Sequence, residues 1–111
     1  MSGCHSISVS VFDESQSLLV VRISGSLEHG NSRSFLRDVR AVISEYLQSS
    51  LKMVELDVGG VTYIDSAGIG AFVDLYRDLS AHSVEMRMEN VGPAVKKVMD
   101  LLGLQQFLRV D

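Results

Sequence analysis

The stretch "TYIDSAGIGAF", Thr62 to Phe72, sets the Asp65 carboxylate directly before the Ser66 hydroxyl. The pair lies between an apolar run and a helix-like segment opened by Gly68 and Gly70. A serine at such a junction can be a helix cap, a catalytic nucleophile or a site of covalent modification. A nucleophile elbow needs G-x-S-x-G, so that a strained strand-to-helix turn exposes the hydroxyl. Here the run is I-D-S-A-G, with Ile64 where the first glycine belongs. The nucleophile also needs a base. His5 is near the N terminus and His82 falls at the far end of the following helix, which leaves His29, and nothing in the pattern requires it. A serine hydrolase is therefore a remote alternative, and the chain reads as a non-enzyme.

Phosphate binding of a nucleotide fares no better. "GGVTYIDSAGIG" has neither the Walker lysine nor the G-x-G-x-x-G register. An acid beside the serine would also repel a bound phosphate. The glycines relieve crowding at the start of a helix or leave a flat surface. Capping remains: serine is among the best N-caps, worth about 0.5–2 kcal/mol over alanine. Asp65 is an equally suitable cap, which would leave Ser66 in the first turn.

Other chemistry-bearing residues are sparse. Cys4 is the only cysteine, so no intrachain disulfide can form, which suits a reducing compartment. Cys4 and His5 are two potential metal ligands near the terminus, where a structural zinc site usually needs four; no metal and no cofactor are expected. Arg33, Arg37 and Arg40 read as the solvated face of a helix. A net charge of -4 with interspersed signs gives no basic stripe for nucleic acid. The start shows no secretory pattern, and no apolar run approaches the ~18 residues of a membrane span. A cytoplasmic protein is the expectation.

The elements that must position Asp65 and Ser66 alternate along the chain. The length of 111 residues, 46% hydrophobic and 22% charged, suits one globular domain with one core, with residues 1–5 expected to be disordered. "SISVSVF" (Ser6–Phe12) has period two and predicts an edge strand. "LLVVRIS" (Leu18–Ser24) is nearly continuous in apolar residues and predicts a strand buried on both faces. "GSLEHGN" reads as a loop. From Ser32 to Gln48, Phe35, Leu36, Val39, Val42, Ile43, Tyr46 and Leu47 form a helical stripe, with Asn31 or Ser32 as N-cap. "KMVELDV" (Lys52–Val58) predicts a strand broken by Gly59 and Gly60. A helix follows from about Ser66 to Leu79, with Ile69, Phe72, Val73, Tyr76 and Leu79 inward. "SVEMRMEN" predicts a further strand, and Pro93 opens a helix with Val95, Val98, Met99 and Leu102 inward, stopped by Gly103. "FLRV" predicts a short last strand. The order is β-β-α-β-α-β-α-(β), an α/β domain with a mostly parallel central sheet of four to five strands and helices packed against it.

"LDVGGVTYIDSAGIGAFVDLYRDL" resembles the signature of the STAS domain family, the anti-sigma factor antagonists, in which a strand is followed by an apolar-rich "D-S-S/A-G-h-G". "VVRISGSLEHGNSRSFLRDV" is similar to the family's upstream "G-E-L-D-x-x-T" segment, and "VGPAVKKVMDLLGLQQFLRV" to its C-terminal helix. The resemblance runs from about Ile7 to Val110. It implies that Ser66 is a phosphoacceptor and Asp65 the acid used for phosphorylation and partner contact. Glu28 stands in place of the usual aspartate, with His29 beside it, and Asn31 in place of the usual threonine. Ser26 replaces a typical glutamate and Ala67 a common second serine.

The resemblance implies a partner switch. The unphosphorylated protein would bind an anti-sigma factor with ATP-dependent serine kinase activity and release the sigma factor. Phosphorylation of Ser66 would end the complex and a PP2C-type phosphatase would restore it. The expected partner surface comprises Glu28, His29, Asn31, Asp65, Ser66, Ala67, Gly68, Ile69 and Gly70. For Ile69, a core position competes with an exposed anchor. Asp57 and Glu28 are expected near Ser66. The free protein is expected to be a monomer or weak dimer, with no direct contact to nucleic acid or membrane. An alternative is a STAS subunit docked constitutively in a larger complex, such as a lipid-transport ATPase.

Overall fold

A computed structural model describes residues 4–103 and 109–110. The elements are β1 (His5–Asp13), β2 (Leu18–Leu27), α1 (Ser32–Leu47), β3 (Met53–Ile64), α2 (Ser66–Ala81), β4 (Glu85–Glu89), α3 (Pro93–Leu102) and β5 (Arg109–Val110). The order agrees with the sequence reading. His5, expected in a disordered start, opens β1; residues 1–3 lie outside the described ones. Of the "FLRV" strand, Arg109 and Val110 pair with β4, and Phe107 and Leu108 lie outside the described residues.

The strands lie side by side in chain order, β1-β2-β3-β4-β5. β1 is antiparallel to β2, and the remaining pairs are parallel. Right-handed crossovers that always step in the same direction place every helix on the same face of a sheet. The burial follows. Leu19, Val21 and Ile23 of β2, Val54, Leu56 and Val58 of β3, and Met86 and Met88 of β4 are buried in one cluster with α1, α2 and α3.

The opposite face carries Leu18, Val20 and Arg22, which are half-buried or exposed. Thus β2 is not buried on both faces, as its apolar run suggests; it alternates. The helices contribute Phe35, Val39 and Ile43 from α1, Phe72, Leu75 and Leu79 from α2, and Val95 and Met99 from α3. The Phe35 and Phe72 rings meet edge to face with centroids 5.5 Å apart. Leu102, expected inward, is 45% exposed at the last turn of α3. Gly103 ends that helix in the left-handed region at φ 65°, as expected of a C-terminal glycine.

Gly59 and Gly60 do not end β3. The strand runs on to Ile64, and its register against β2 slips twice: Arg22 and Ser24 pair with Asp57 and Gly60, and Gly25 and Ser26 pair with Val61 and Tyr63. Each slip accommodates one extra residue on β3, which is a β-bulge. Gly60 permits the close passage, since a Cβ there would lie 2.7 Å from the Ser24 Cβ.

Candidate functional site

The C-terminal ends of β2 and β3 are neighbours, and Leu27 pairs with Ile64. From these ends the chain enters the 28–31 loop toward α1 and passes through Asp65 into α2. Ser66 is therefore beside the 28–31 loop because adjacent parallel strands deliver both.

Asp65, not Ser66, caps α2. Its backbone is extended, and its Oδ1 accepts the Gly68 N–H at 3.0 Å. Its Oδ2 accepts the His29 N–H at 3.1 Å, and its own N–H donates to the Leu27 carbonyl at 3.2 Å. One carboxylate thus satisfies an orphan amide of the helix and also holds the neighbouring loop. Ser66 falls in the first turn and is exposed. Among the described residues no hydrogen bond uses its Oγ. The cap reading of Ser66 is corrected: the acid before it has that role.

The expected partner surface divides. His29 and Ser66 are exposed, and Glu28, Ala67 and Gly70 are half-buried. Gly70 would meet nothing within 4 Å if it carried a Cβ, so it leaves the flat surface. Gly68 is buried instead: a Cβ there would lie 2.5 Å from the Leu27 carbonyl oxygen. Gly68 relieves crowding where α2 starts against β2.

Ile69 is fully buried and belongs to the core, so it is no partner contact. The helical period turns it inward three residues before Phe72. Asn31 is also lost from the surface, at 5% exposed. It makes no side-chain cap to α1. Its Oδ1 accepts the Glu28 N–H at 2.9 Å, and its Nδ2 donates to the Ser26 carbonyl at 2.8 Å. Asp57 is not near Ser66. It lies on the open sheet face opposite Arg22, five residues down β2 from the Leu27–Ile64 pair, roughly 17 Å from that strand end. There it accepts from Asn90 Nδ2 and the Gly59 N–H, each at 3.0 Å, with Arg22 at 3.8 Å. The Asn90 hydrogen bond, then that of Gly59, holds its carboxyl below the usual range.

Tyr63 went unnoticed in the sequence. It is 52% exposed and lies three residues before Ser66, turned to the open face by the second bulge. Plain alternation from Val54, Leu56 and Val58 also puts position 63 on that face, because the two slips cancel.

No histidine forms a hydrogen bond with Ser66 among the described residues. His5 Nε2 lies 2.9 Å from Asp38, and His82 Nδ1 lies 2.9 Å from the Asp78 carbonyl at the other end of α2. His29 is exposed beside the junction, and its backbone N–H, bonded to Asp65, is what the structure ties to the site. The geometry offers an accessible hydroxyl on a helix N-terminus beside a fixed carboxylate, with free first-turn amides that favour an anion.

The STAS domain model matches residues 10–111. The chain belongs to the STAS domain family. As a STAS domain it is 28% identical over 94 residues to an anti-sigma F factor antagonist of Paenibacillus polymyxa, covering 84% of this chain and 77% of that protein. It is also 29% identical over 101 residues to high affinity sulfate transporter 2 of Stylosanthes hamata, covering 85% of this chain but 15% of the transporter. Among solved structures, an anti-sigma factor antagonist from Mycobacterium paratuberculosis superposes with a TM-score of 0.77 at 20% identity, covering 96% and 85% of the two chains. The Bacillus cell fate determinant SpoIIAA in its phosphorylated form gives 0.66 at 21%, covering 96% and 91%. These likenesses show a shared fold. No helix among the described residues is long and apolar enough to cross a membrane.

Proposed function

We propose that this STAS domain is an anti-sigma factor antagonist, a non-enzymatic cytoplasmic binding protein switched at Ser66. Unphosphorylated, it binds an anti-sigma factor that is also an ATP-dependent serine kinase, and the sigma factor is released. Phosphorylation of Ser66 ends the binding, and a PP2C-type phosphatase resets it. The observation that carries this reading is the division of labour at the α2 N-terminus. Asp65 caps the helix, so the exposed Ser66 hydroxyl has no structural duty. The antagonist named among the relatives and the fold shared with a phosphorylated protein support it.

A phosphate adds about -1.5 to -2 charges at pH 7. The helix N-terminus tolerates it, so the domain need not rearrange. A partner fitted to a neutral hydroxyl beside Asp65 would instead meet a buried dianion. Mispairing one interfacial charge costs about 2–5 kcal/mol, and each 1.4 kcal/mol is tenfold in affinity. Local repulsion of that size is sufficient for an on/off switch on a rigid surface. The docking surface is then His29, Ser66, Ala67 and Gly70, with Glu28 and Asp65 at its edge.

The test is intact-mass spectrometry of the protein from its own host, with fragmentation to locate phosphate, followed by pull-down with Ser66→Ala and Ser66→Asp. Phosphate on Ser66, retained binding in S66A and lost binding in S66D are expected. An unmodified Ser66 across growth phases and stresses would overturn the switch. The likeness to a module making up 15% of a transporter favours one second reading, constitutive docking in a larger membrane complex. A stable complex insensitive to ATP would identify it.

A further inference from the structure

The loop from Ser26 to Asn31 is held by a part-buried polar chain that the switch does not use. His5, at the start of β1, has a side chain 12% exposed. Its Nε2 lies 2.9 Å from Asp38 Oδ2, and its Nδ1 lies 3.1 Å from Asn31 Nδ2. Its ring lies nearly perpendicular to that of Phe35, with 5.7 Å between centroids. Asn31 fixes which ring nitrogen carries hydrogen. Its Oδ1 is taken by the Glu28 N–H and the other hydrogen of its amide by the Ser26 carbonyl. Turning the amide over would set carbonyl against carbonyl and N–H against N–H. The Asn31 amide therefore donates to Nδ1, and the neutral ring donates from Nε2 to Asp38.

We propose that His5 is the positioning residue of the docking loop, and that protonation of His5 releases the loop. A proton added to Nδ1 faces the Asn31 donor at 3.1 Å, and Asn31 itself is buried. The imidazolium keeps Asp38 as its partner and loses Asn31. The charged groups involved are Asp38 and, on its other oxygen, Arg37 Nε at 3.3 Å; Glu28 belongs to the loop being held. The strand facing His5 presents Gly25, which carries no charge. Asn31, once displaced, gives up the Glu28 N–H and the Ser26 carbonyl. The next amide along, His29 N–H, is the one bonded to Asp65. Protonation at His5 is thereby transmitted to the support of Asp65 beside Ser66.

The functional meaning of this latch rests on the docking reading above, but its test reads the loop in the isolated chain and needs no partner. The measurement is a proton–nitrogen NMR titration from pH 8 to about pH 5, following the imidazole nitrogens and the amides of Ser26, Glu28 and His29. At pH 8, His5 is expected to carry its hydrogen on Nε2. The three amides are expected to shift along the His5 titration curve. His29→Gln should leave that coupling intact, which removes the neighbouring imidazole as its source. His5→Gln, which can still donate to Asp38, should abolish it. A neutral His5 with hydrogen on Nδ1, or loop amides that stay flat or follow His29 alone, would overturn the proposal. The tautomer and the H29Q titration decide the matter even if H5Q does not fold.

Discussion

Asp65 reaches across to the backbone of His29, with its Oδ2 3.1 Å from the amide nitrogen, while its Oδ1 is 3.0 Å from the amide of Gly68. A single side chain thus joins two segments brought together by neighbouring strands. Asp65→Ala removes both bonds. Losing the cap costs about 0.5–2 kcal/mol, and the unpaired His29 amide adds to it. Asp65→Asn keeps an acceptor for the helix and should lose less. Urea midpoints with an unchanged slope would check both values. An Asp65→Ala midpoint equal to wild type would contradict the bridging role.

Two glycines on the same helix should respond in opposite ways to alanine. At Gly70 the new methyl meets nothing within 4 Å. The helix then gains about 0.5–1 kcal/mol from the better helix former. At Gly68 the methyl lies 2.5 Å from the Leu27 carbonyl oxygen and 2.8 Å from Ile64 Cγ1. Overpacking against backbone costs about 1–3 kcal/mol, which exceeds the propensity gain. Thermal midpoints of the two variants should therefore move apart on either side of wild type.

Acid should loosen the fold through named carboxylates. The hydrogen bond from His5, helped by Arg37, holds Asp38 below its ordinary value. The Asn90 and Gly59 donors do the same for Asp57, and Ser15 and the Gln16 amide for Asp13. Each folded pKa lies below the unfolded one, so the stabilisation is complete above the unfolded carboxylate range, near 4. It is lost as pH falls through the folded values. Denaturation midpoints should drop below about pH 4, and Asp57→Asn should flatten part of that slope. Midpoints that rise on acidification in this window would refute the assignment.

The packing of Phe35 against Phe72 joins α1 to α2 over the sheet. Phe72→Ala should cost about 3–5 kcal/mol, and Phe72→Leu clearly less, because the cavity is smaller. Calorimetry of the two variants measures the difference.

The element order and most of the inward positions were legible because they depend on period, and period survives in a single sequence. The identity of the cap was not: Asp65 and Ser66 are equivalent candidates until the β3 exit places the acid within reach of Gly68. Asn31 read as a cap or a contact because nothing local reveals that His5 and Ser26 enclose it. β2 read as doubly buried because Val20 is apolar, although crossovers that never reverse leave its second face open. Gly59 and Gly60 read as a break because a bulge and a strand end call for the same residue.

The two bulges of β3 have a consequence of their own. Residues alternate between the faces of a strand, so one extra residue inverts every facing downstream of it, and a second restores it. Val54, Leu56 and Val58 point into the core, Val61 packs inward between the two slips, and Ile64 is back in phase with Leu27 beyond them. The strand behaves like a message with two compensating frameshifts. Deleting one residue between Gly59 and Thr62 should turn Ile64 outward and misdirect the Asp65–Ser66 junction. Deleting one from each bulge should restore the frame. Length variation in this strand is then tolerated in pairs, because parity decides which way the junction points.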